Sequence, residues 1–531
     1  MGFERKSTQL KNEQATVDIE LSDVADLKEG NAEDRRDMMR MGKAQELKRN
    51  FRFLSIFGFS MILMQSWEAV ISLSSIGLTN GGTAGSIWMY LVCWAGFGFV
   101  NVSMAEMSSM APTTGGQYHW VSEFAPKRHQ KFLSYVMGWM CVLAWQTGCA
   151  STAYIAGSQI QSLVALNYET YVPQGWHGTM LSIAVNAFSV FFNVALARKL
   201  PLIEAGLLTI HVFGFVGIMV TLWVLAPRTP AVEVFTTFND GGGWGSIGGS
   251  TMIGIMSGIY PLLGADAAVH MSEELQDAAK TLPRSMIWTT FFSGAFEYVC
   301  AFLGKGWVML ITFCSCLGDI NEVISSPTPF ITVFHNATQT KSGATAMSAF
   351  VIVMTVAGNL TGVATASRQL WAFSRDQGMP LSGWFAHVHP GYNLPINSII
   401  TTLIVTVLLT LIPIGSPVAL NSLTSLGTNA ILSSYMCSTG CVLWRRLTGL
   451  PLLPSKFSLG RWGLAINIIS EMFLVVFFVF AFFPPVPEPA LDLMNWNILI
   501  YGVSVIGSLV YYGLSARKRY VGPVEYVRKL D

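Results

Sequence analysis

Charge is what this sequence lacks. Asp, Glu, Lys and Arg make up 12% of its 531 residues, where an ordinary soluble domain carries about 25%. The shortage is uneven. Residues 1–50 hold 10 Lys/Arg and 11 Asp/Glu, and the other 481 residues hold 22 and 20. A soluble fold of this size could not cover its surface with so few charges, whereas 52% hydrophobic residues suit a body solvated by lipid. Excess positive charge is missing too. A net charge of +1 excludes a nucleic-acid binder driven by bulk charge. The eight cysteines, Cys93, Cys141, Cys149, Cys300, Cys314, Cys316, Cys437 and Cys441, lie in or beside apolar stretches, and none forms a CxxC pair. Neither a secreted disulfide framework nor a zinc site has support. The first apolar run begins about 50 residues in, behind a charged tail, which is not the layout of a cleaved signal peptide.

Long apolar runs are what the chain has. A helix needs about 20 mostly apolar residues to cross a bilayer. Twelve candidates lie near 53–78, 86–109, 131–163, 178–196, 201–225, 250–270, 286–316, 345–372, 397–413, 419–444, 464–483 and 495–515. Barrel strands would alternate over about ten residues, so these runs predict an all-α integral membrane protein.

Lys and Arg set the orientation. With the N-terminus cytoplasmic, the inside connections and the C-terminal tail hold 18 basic residues, from Lys127 to Lys529, while the outside connections hold only Arg228 and Lys341. Both termini are therefore expected inside. Residues 1–50, charged and poor in aromatics, read as a disordered cytoplasmic tail, and 516–531 as a second tail. Asn336-Ala337-Thr338 is a glycosylation sequon in the outside loop after span seven.

Ionisable groups at membrane depth are costly and are functional candidates by default. They are Glu68, Asp266, Glu297, Lys305 and Glu471, with His211 and His270 nearby; Glu106 and Glu204 read as interfacial. Glu68 sits in span one within Gln65-Ser66-Trp67-Glu68-Ala69. Asp266 sits in span six within Tyr260-Pro261-Leu262-Leu263-Gly264-Ala265-Asp266. Pro261 removes a backbone donor and Gly264 weakens the helix. Paired interruptions at corresponding places in two halves are the best sequence pointer to a transporter site. A broken helix exposes amides that favour anions and carbonyls that favour cations. A kink alone would also explain Pro261.

Four strings extend this reading. They are Asn80-Gly81-Gly82; Ala105-Glu106-Met107-Ser108-Ser109 running into Pro112-Thr113-Thr114-Gly115-Gly116-Gln117-Tyr118; Gly264-Ala265-Asp266 running to Glu273-Glu274; and Ala366-Ser367-Arg368 running to Gly378-Met379-Pro380. In this order and spacing the chain resembles the amino acid–polyamine–organocation transporter superfamily, and within it the fungal amino acid/choline branch. The resemblance covers about residues 45 to 515. It implies a LeuT-type fold, with inverted five-helix repeats over 51–225 and 226–444 and two extra helices over 445–515. It implies substrate held between spans one, three, six, eight and ten, alternating access, and proton-coupled transport of a small amine-bearing solute such as choline, GABA or an amino acid. A plasma-membrane location, with the bilayer, substrate and protons as partners and no cofactor or metal, follows from the same resemblance.

Carried over by position, the substrate-binding candidates are Ser66, Trp67, Glu68, Ala69, Tyr260, Gly264 and Ala265. The span-one break of relatives falls on Trp67-Glu68-Ala69, which is bulky and acidic here. A charged Glu68 would attract an ammonium group, and Trp67 and Tyr260 could add aromatic faces worth roughly 0.5–2 kcal/mol each; a protonated Glu68 would reverse the preference. Asp266 and Glu68 are the proton-coupling candidates. Some relatives use a Lys in span five, where this chain has only His211.

Span seven departs from the pattern. Ser293-Gly294-Ala295 is expected to run almost directly into Gly306-Trp307-Val308-Met309, so residues 296–305 look inserted. An unspliced intron would explain them. A tilted helix pairing Glu297 with Lys305 is the alternative, though residues eight apart are two turns apart and would not meet directly.

The Gly241–Gly249 run lacks the Gly-Lys-Ser/Thr ending of a phosphate loop. His387 and His389 have no partners at metal spacing. A membrane enzyme would need a polar catalytic cluster near one face, and none is evident. A transporter-derived nutrient receptor without net uptake, and a neutral amino-acid permease, remain as alternatives.

Overall fold

A computed structural model describes residues 30–294, 305–414, 419–491 and 494–524. Among them the chain is helical, with isolated bridges such as Phe51 with Leu275 and no strand. The main helices are α1 (Phe53–Met64), α2 (Ser66–Ser72), α3 (Gly82–Met110), α4 (Gln130–Asn167), α5 (Gly175–Ala195), α6 (Leu200–Leu225), α7 (Ala278–Ser293), α8 (Lys305–Ser315), α9 (Lys341–Arg375), α10 (Ile396–Thr410), α11 (Ala419–Leu447), α12 (Gly463–Phe480) and α13 (Asn497–Tyr511).

Among the described residues, nine segments are long and apolar enough to cross a membrane, including the broken ones at Phe53–Ser72 and Ile247–His270. α4 and α11 are long but less apolar, and the reason is where they sit. α4 packs against α5, α9 and α11, so its buried face carries Gln146, Thr147, Ser151 and Gln159. Peripheral helices show the opposite pattern. Met472, Val475 and Val479 on α12, and Val503, Ile506 and Val510 on α13, are exposed at three- and four-residue spacing. Apolar stripes of this kind face lipid.

The first break falls at Gln65, which adopts a left-handed conformation (φ 45°) between α1 and α2. Sequence reading placed it at Trp67-Glu68-Ala69; Gln is not a helix breaker, so nothing local marked it. Tertiary packing holds it: Gly358 on α9 has no side chain where the Gln65 amide lies. The second break runs through a short 3-10 turn at Tyr260–Leu262, an extended Leu263 and Gly264 at φ 99°. The two breaks face each other, for a Cβ on Gly264 would lie 2.6 Å from the Leu63 side chain.

Residues 30–52 differ from the tail expected over 1–50. Asn31 caps a helix over Ala32–Arg40. Its Asp34 accepts hydrogen bonds from the Asp277 and Ala278 amides (3.1 and 3.3 Å), capping α7, and pairs with Arg49 at 3.4 Å. Phe51 then exchanges backbone hydrogen bonds with Glu274 and Gln276. The charges of this strap are counterparts of charges far along the chain, which composition counting does not register.

Residues 295–304, including Glu297 and most of the suspected insert, lie outside the described residues. Their flanks are informative. A Cβ on Gly306 would lie 2.9 Å from the Ser293 carbonyl. The end of α7 and the start of α8 therefore meet. Asn336 lies in a helix over Pro329–Thr338 and donates to Glu322 at 3.1 Å.

Candidate functional site

Where the breaks meet there is a cavity of about 100 Å3. Its walls come from five elements: the end of α1 (Leu63, Met64), the span-six break (Tyr260, Gly264), α4 (Trp145, Thr152), α9 (Gly358, Asn359) and α11 (Thr424, Thr428). A smaller pocket of about 30 Å3 shares Leu63, Met64, Thr152 and Tyr260 and adds Ala69 and Thr355. Small residues make room for it: Gly148, Gly362 and Gly427 line the main cavity. Polar groups are few. The Tyr260 and Thr152 hydroxyls are 3.4 Å apart. Asn359 donates to Asn186 and Ser189, and its carbonyl oxygen has no partner among the described residues.

Of the residues singled out by sequence, Tyr260 and Gly264 line the main cavity and Ala69 the smaller one. Ser66, Trp67, Glu68 and Ala265 are buried but line neither. The cavity residues on α4, α9 and α11 were not anticipated. Their one signal is the small, polar text of those helices, such as Gly148-Cys149-Ala150-Ser151-Thr152 and Gly358-Asn359.

Glu68 faces away, towards α6. Its carboxylate lies 2.7 Å from His211 Nδ1, and the Trp67 ring packs on the same imidazole at 5.8 Å. Glu68 Oε2 and His211 Nε2 have no hydrogen-bond partner among the described residues. Both groups are fully buried. α8 packs on α2 and brings the buried Lys305 within electrostatic reach of Glu68.

Asp266 sits beyond the break, at the start of the following helical turn of span six. Gln117 Nε2 donates to one carboxylate oxygen at 2.6 Å, and the Tyr435 hydroxyl on α11 donates to the other. His270 lies one turn on, its Nε2 3.6 Å from Asp266. Its hydrogen bonds fix the ring. The Thr114 carbonyl, 2.9 Å from Nδ1, can only accept, so Nδ1 carries the proton. Nε2 then accepts from the Trp145 indole at 3.0 Å. Trp145 is a cavity wall, so hydrogen bonds connect the cavity to the neighbourhood of Asp266.

Below this lies an ionic layer. Arg368 pairs with Glu274 (2.9 Å), Arg375 with Glu273 (2.7 Å), and Asp376 with Lys43 of the strap and with Tyr118 (3.0 Å). Arg368 is six residues past Gly362 on α9, about 9 Å further along the helix. The layer therefore lies beyond the cavity, towards the C-terminal end of α9. Burial by itself would raise the Glu273 carboxyl, but Arg375, Lys43 and Arg49 hold it below its ordinary value. Burial pushes the Lys43 ammonium down, against the attraction of Asp376.

Comparison with known proteins agrees with this architecture. The family described as amino acid permease matches residues 51–505. A protein of Macrophomina phaseolina (strain MS6), named as an amino acid/polyamine transporter, is 30% identical over 447 residues, 83% of this chain and 96% of its own length. A choline transporter of Saccharomyces cerevisiae is 25% identical, covering 89% of this chain and 83% of that protein. An amino-acid permease of Arabidopsis thaliana is 26% identical, over 92% and 95%. With a continuous family match along most of its length and membrane-spanning helices throughout, this chain belongs to the amino acid permease family of the amino acid–polyamine–organocation superfamily, as a multi-pass membrane transporter and not an enzyme.

Proposed function

We propose that the protein is a proton-coupled transporter for a small amine-bearing solute, working by alternating access in the plasma membrane. In this reading α1–α2 open the first of two inverted five-helix repeats, and the Ile247–His270 segment opens the second. α7 and α8 form one span, α12 and α13 follow the repeats, and the twelve spans leave both termini cytoplasmic. The observation that carries the proposal is the cavity at the meeting point of the two helix breaks, walled by five separate elements.

The substrate follows from the cavity's chemistry. Among the described residues, no Asp, Glu, Lys, Arg or His lines it. An ammonium group is received by the aromatic faces of Tyr260 and Trp145 and by carbonyl oxygens, each aromatic contact worth roughly 0.5–2 kcal/mol. This arrangement supports choline, GABA or a neutral amino acid. The names of the fungal relatives point the same way. Glu68 and Trp67 shape the α2–α6 contact rather than the substrate's surroundings.

Asp266 is the coupling carboxylate in this proposal. As a carboxylate it accepts from Gln117 and Tyr435 at once. A proton neutralises that acceptor: the Tyr435 hydroxyl can reverse and accept while Gln117 still donates, but two charge-assisted hydrogen bonds become weaker neutral ones. Protonation thus loosens the lower half of span six from α11. Glu68 with His211 is the second coupling candidate, acting between α2 and α6.

The test is uptake of radiolabelled choline, GABA and neutral amino acids into cells stripped of their own permeases, with and without an inward proton gradient. At least one solute accumulates, the gradient enhances it, and Tyr260→Ala abolishes it. Signalling without accumulation would mean a nutrient receptor instead.

A further inference from the structure

A second site lies on the cytoplasmic rim, outside the transport pathway. A groove of about 610 Å3 opens between the first turns of α7, the strap and the loop before α12. Lys280 and Arg284 stand on one face of α7, four residues apart, with Trp288 four further on. All three are exposed, Trp288 by 46%. The opposite face of α7, with Ser285, Met286 and Thr289, is buried. Lys456 forms the far wall, pairing with Glu33 of the strap and with Asp277 at 3.1 Å. Lys280 and Arg284 have no ion-pair partner among the described residues.

The stripe changes character along the helix. Its cytoplasmic end is cationic. About 12 Å further, at 1.5 Å per residue, it becomes aromatic. Trp288 packs on Phe291 and Phe292, both at 5.7 Å, and Phe292 continues to Phe57 on α1 at 5.6 Å. We infer that this groove holds an anionic phospholipid of the cytoplasmic leaflet. Its phosphate would lie against Lys280, Arg284 and Lys456, and its glycerol and upper acyl chains along Trp288 and the phenylalanines. A soluble phosphate would satisfy the cations but would have no use for the aromatic half. An amphiphile uses both, and tryptophan is enriched at just this depth. Basic pockets beside cytoplasmic helix ends recognise lipid headgroups through the same charge complementarity. Occupancy also has a structural consequence. The phosphate competes with Glu33 and Asp277 for Lys456, so the lipid acts on the strap that caps α7.

The test uses the purified full-length chain in mild detergent, exposed to phosphatidylserine or phosphatidylcholine, with retained lipid counted by native mass spectrometry. Phosphatidylserine is retained in preference to phosphatidylcholine. The double variant Lys280→Gln/Arg284→Gln lowers that retention roughly thirtyfold, Arg284→Lys preserves it, and Trp288→Ala reduces it with the charges intact. Equal retention of the two lipids by the parent protein overturns the inference, as does unchanged retention by the double variant. If inorganic phosphate displaces the lipid while Trp288→Ala has no effect, the groove is a soluble-anion site and the inference is wrong. Should the double variant misfold, the parent's own preference and the Trp288→Ala result still decide.

Discussion

At Gly264 an added methyl group would meet both backbone strain and a neighbouring side chain. Its φ of 99° is open to glycine and strained for any other residue, and a Cβ would press on Leu63 at 2.6 Å. Gly264→Ala should cost about 1–3 kcal/mol in backbone strain alone and should push Leu63, a wall of the cavity, out of place. Substrate-protected thermal melting of the purified variant measures both: a lower melting temperature, and no further rise with substrate. His270 gives a second residue-level prediction. Its Nε2 is the acceptor for the Trp145 indole. His270→Ala leaves that buried donor unsatisfied, at a cost of about 1–3 kcal/mol, and frees a cavity wall. Weaker apparent affinity for substrate in concentration-dependent uptake is the expected result, and unchanged affinity would show that the Trp145 hydrogen bond does not shape the cavity.

At the scale of elements, the strap and span seven make opposite predictions. Asp34 caps α7 and compensates buried Arg49. Asp34→Ala removes a cap worth about 1 kcal/mol and strands a buried charge, for which the loss of one partner costs about 3–5 kcal/mol. Proteolysis of the purified variant should cut within residues 30–52, where the parent resists. Deleting residues 295–304, by contrast, should leave the fold intact, because the flanking ends already touch at Ser293 and Gly306. Equal or higher expression and an unchanged melting temperature check this; aggregation would show that the segment belongs to the structure. These two elements also mark how far sequence reading reaches. Pro261 and Gly264 announced their break because each carries a local backbone signal. Gln65 carries none, so its break was placed two residues late. The departure at span seven was read from a disturbed string, and residues 295–304 lie outside the described residues. The strap was not legible, because Asp34, Lys43 and Arg49 gain meaning only from Asp277, Asp376 and Leu275, hundreds of residues away. The resemblance pointed to spans three, eight and ten, but their individual wall residues were hidden for a related reason: Gly, Ser, Thr and Asn are ordinary in membrane helices until packing brings nine of them to one cavity.

For the whole molecule, two sets of charges have different tasks. The ionic layer of Glu273, Arg375, Lys43 and Asp376 ties the strap and the end of span six to α9. Glu273 is held below its usual value of 4.5. Its contribution is therefore complete above that value and is lost as pH falls through the lower folded-state value. Melting temperature should be flat in this respect around neutrality and fall in strong acid, with Glu273→Gln removing that part of the acid dependence. Asp266 is the proposed coupling group, near His270, which is hydrogen-bonded to the cavity wall Trp145. The central claim is that its proton is the coupled one. The most direct measurement compares gradient-driven uptake with substrate exchange in vesicles carrying the Asp266→Asn variant, using whichever solute the parent protein accumulates. The account predicts that exchange persists while accumulation driven by the proton gradient is lost. Full gradient-driven accumulation by Asp266→Asn would contradict it.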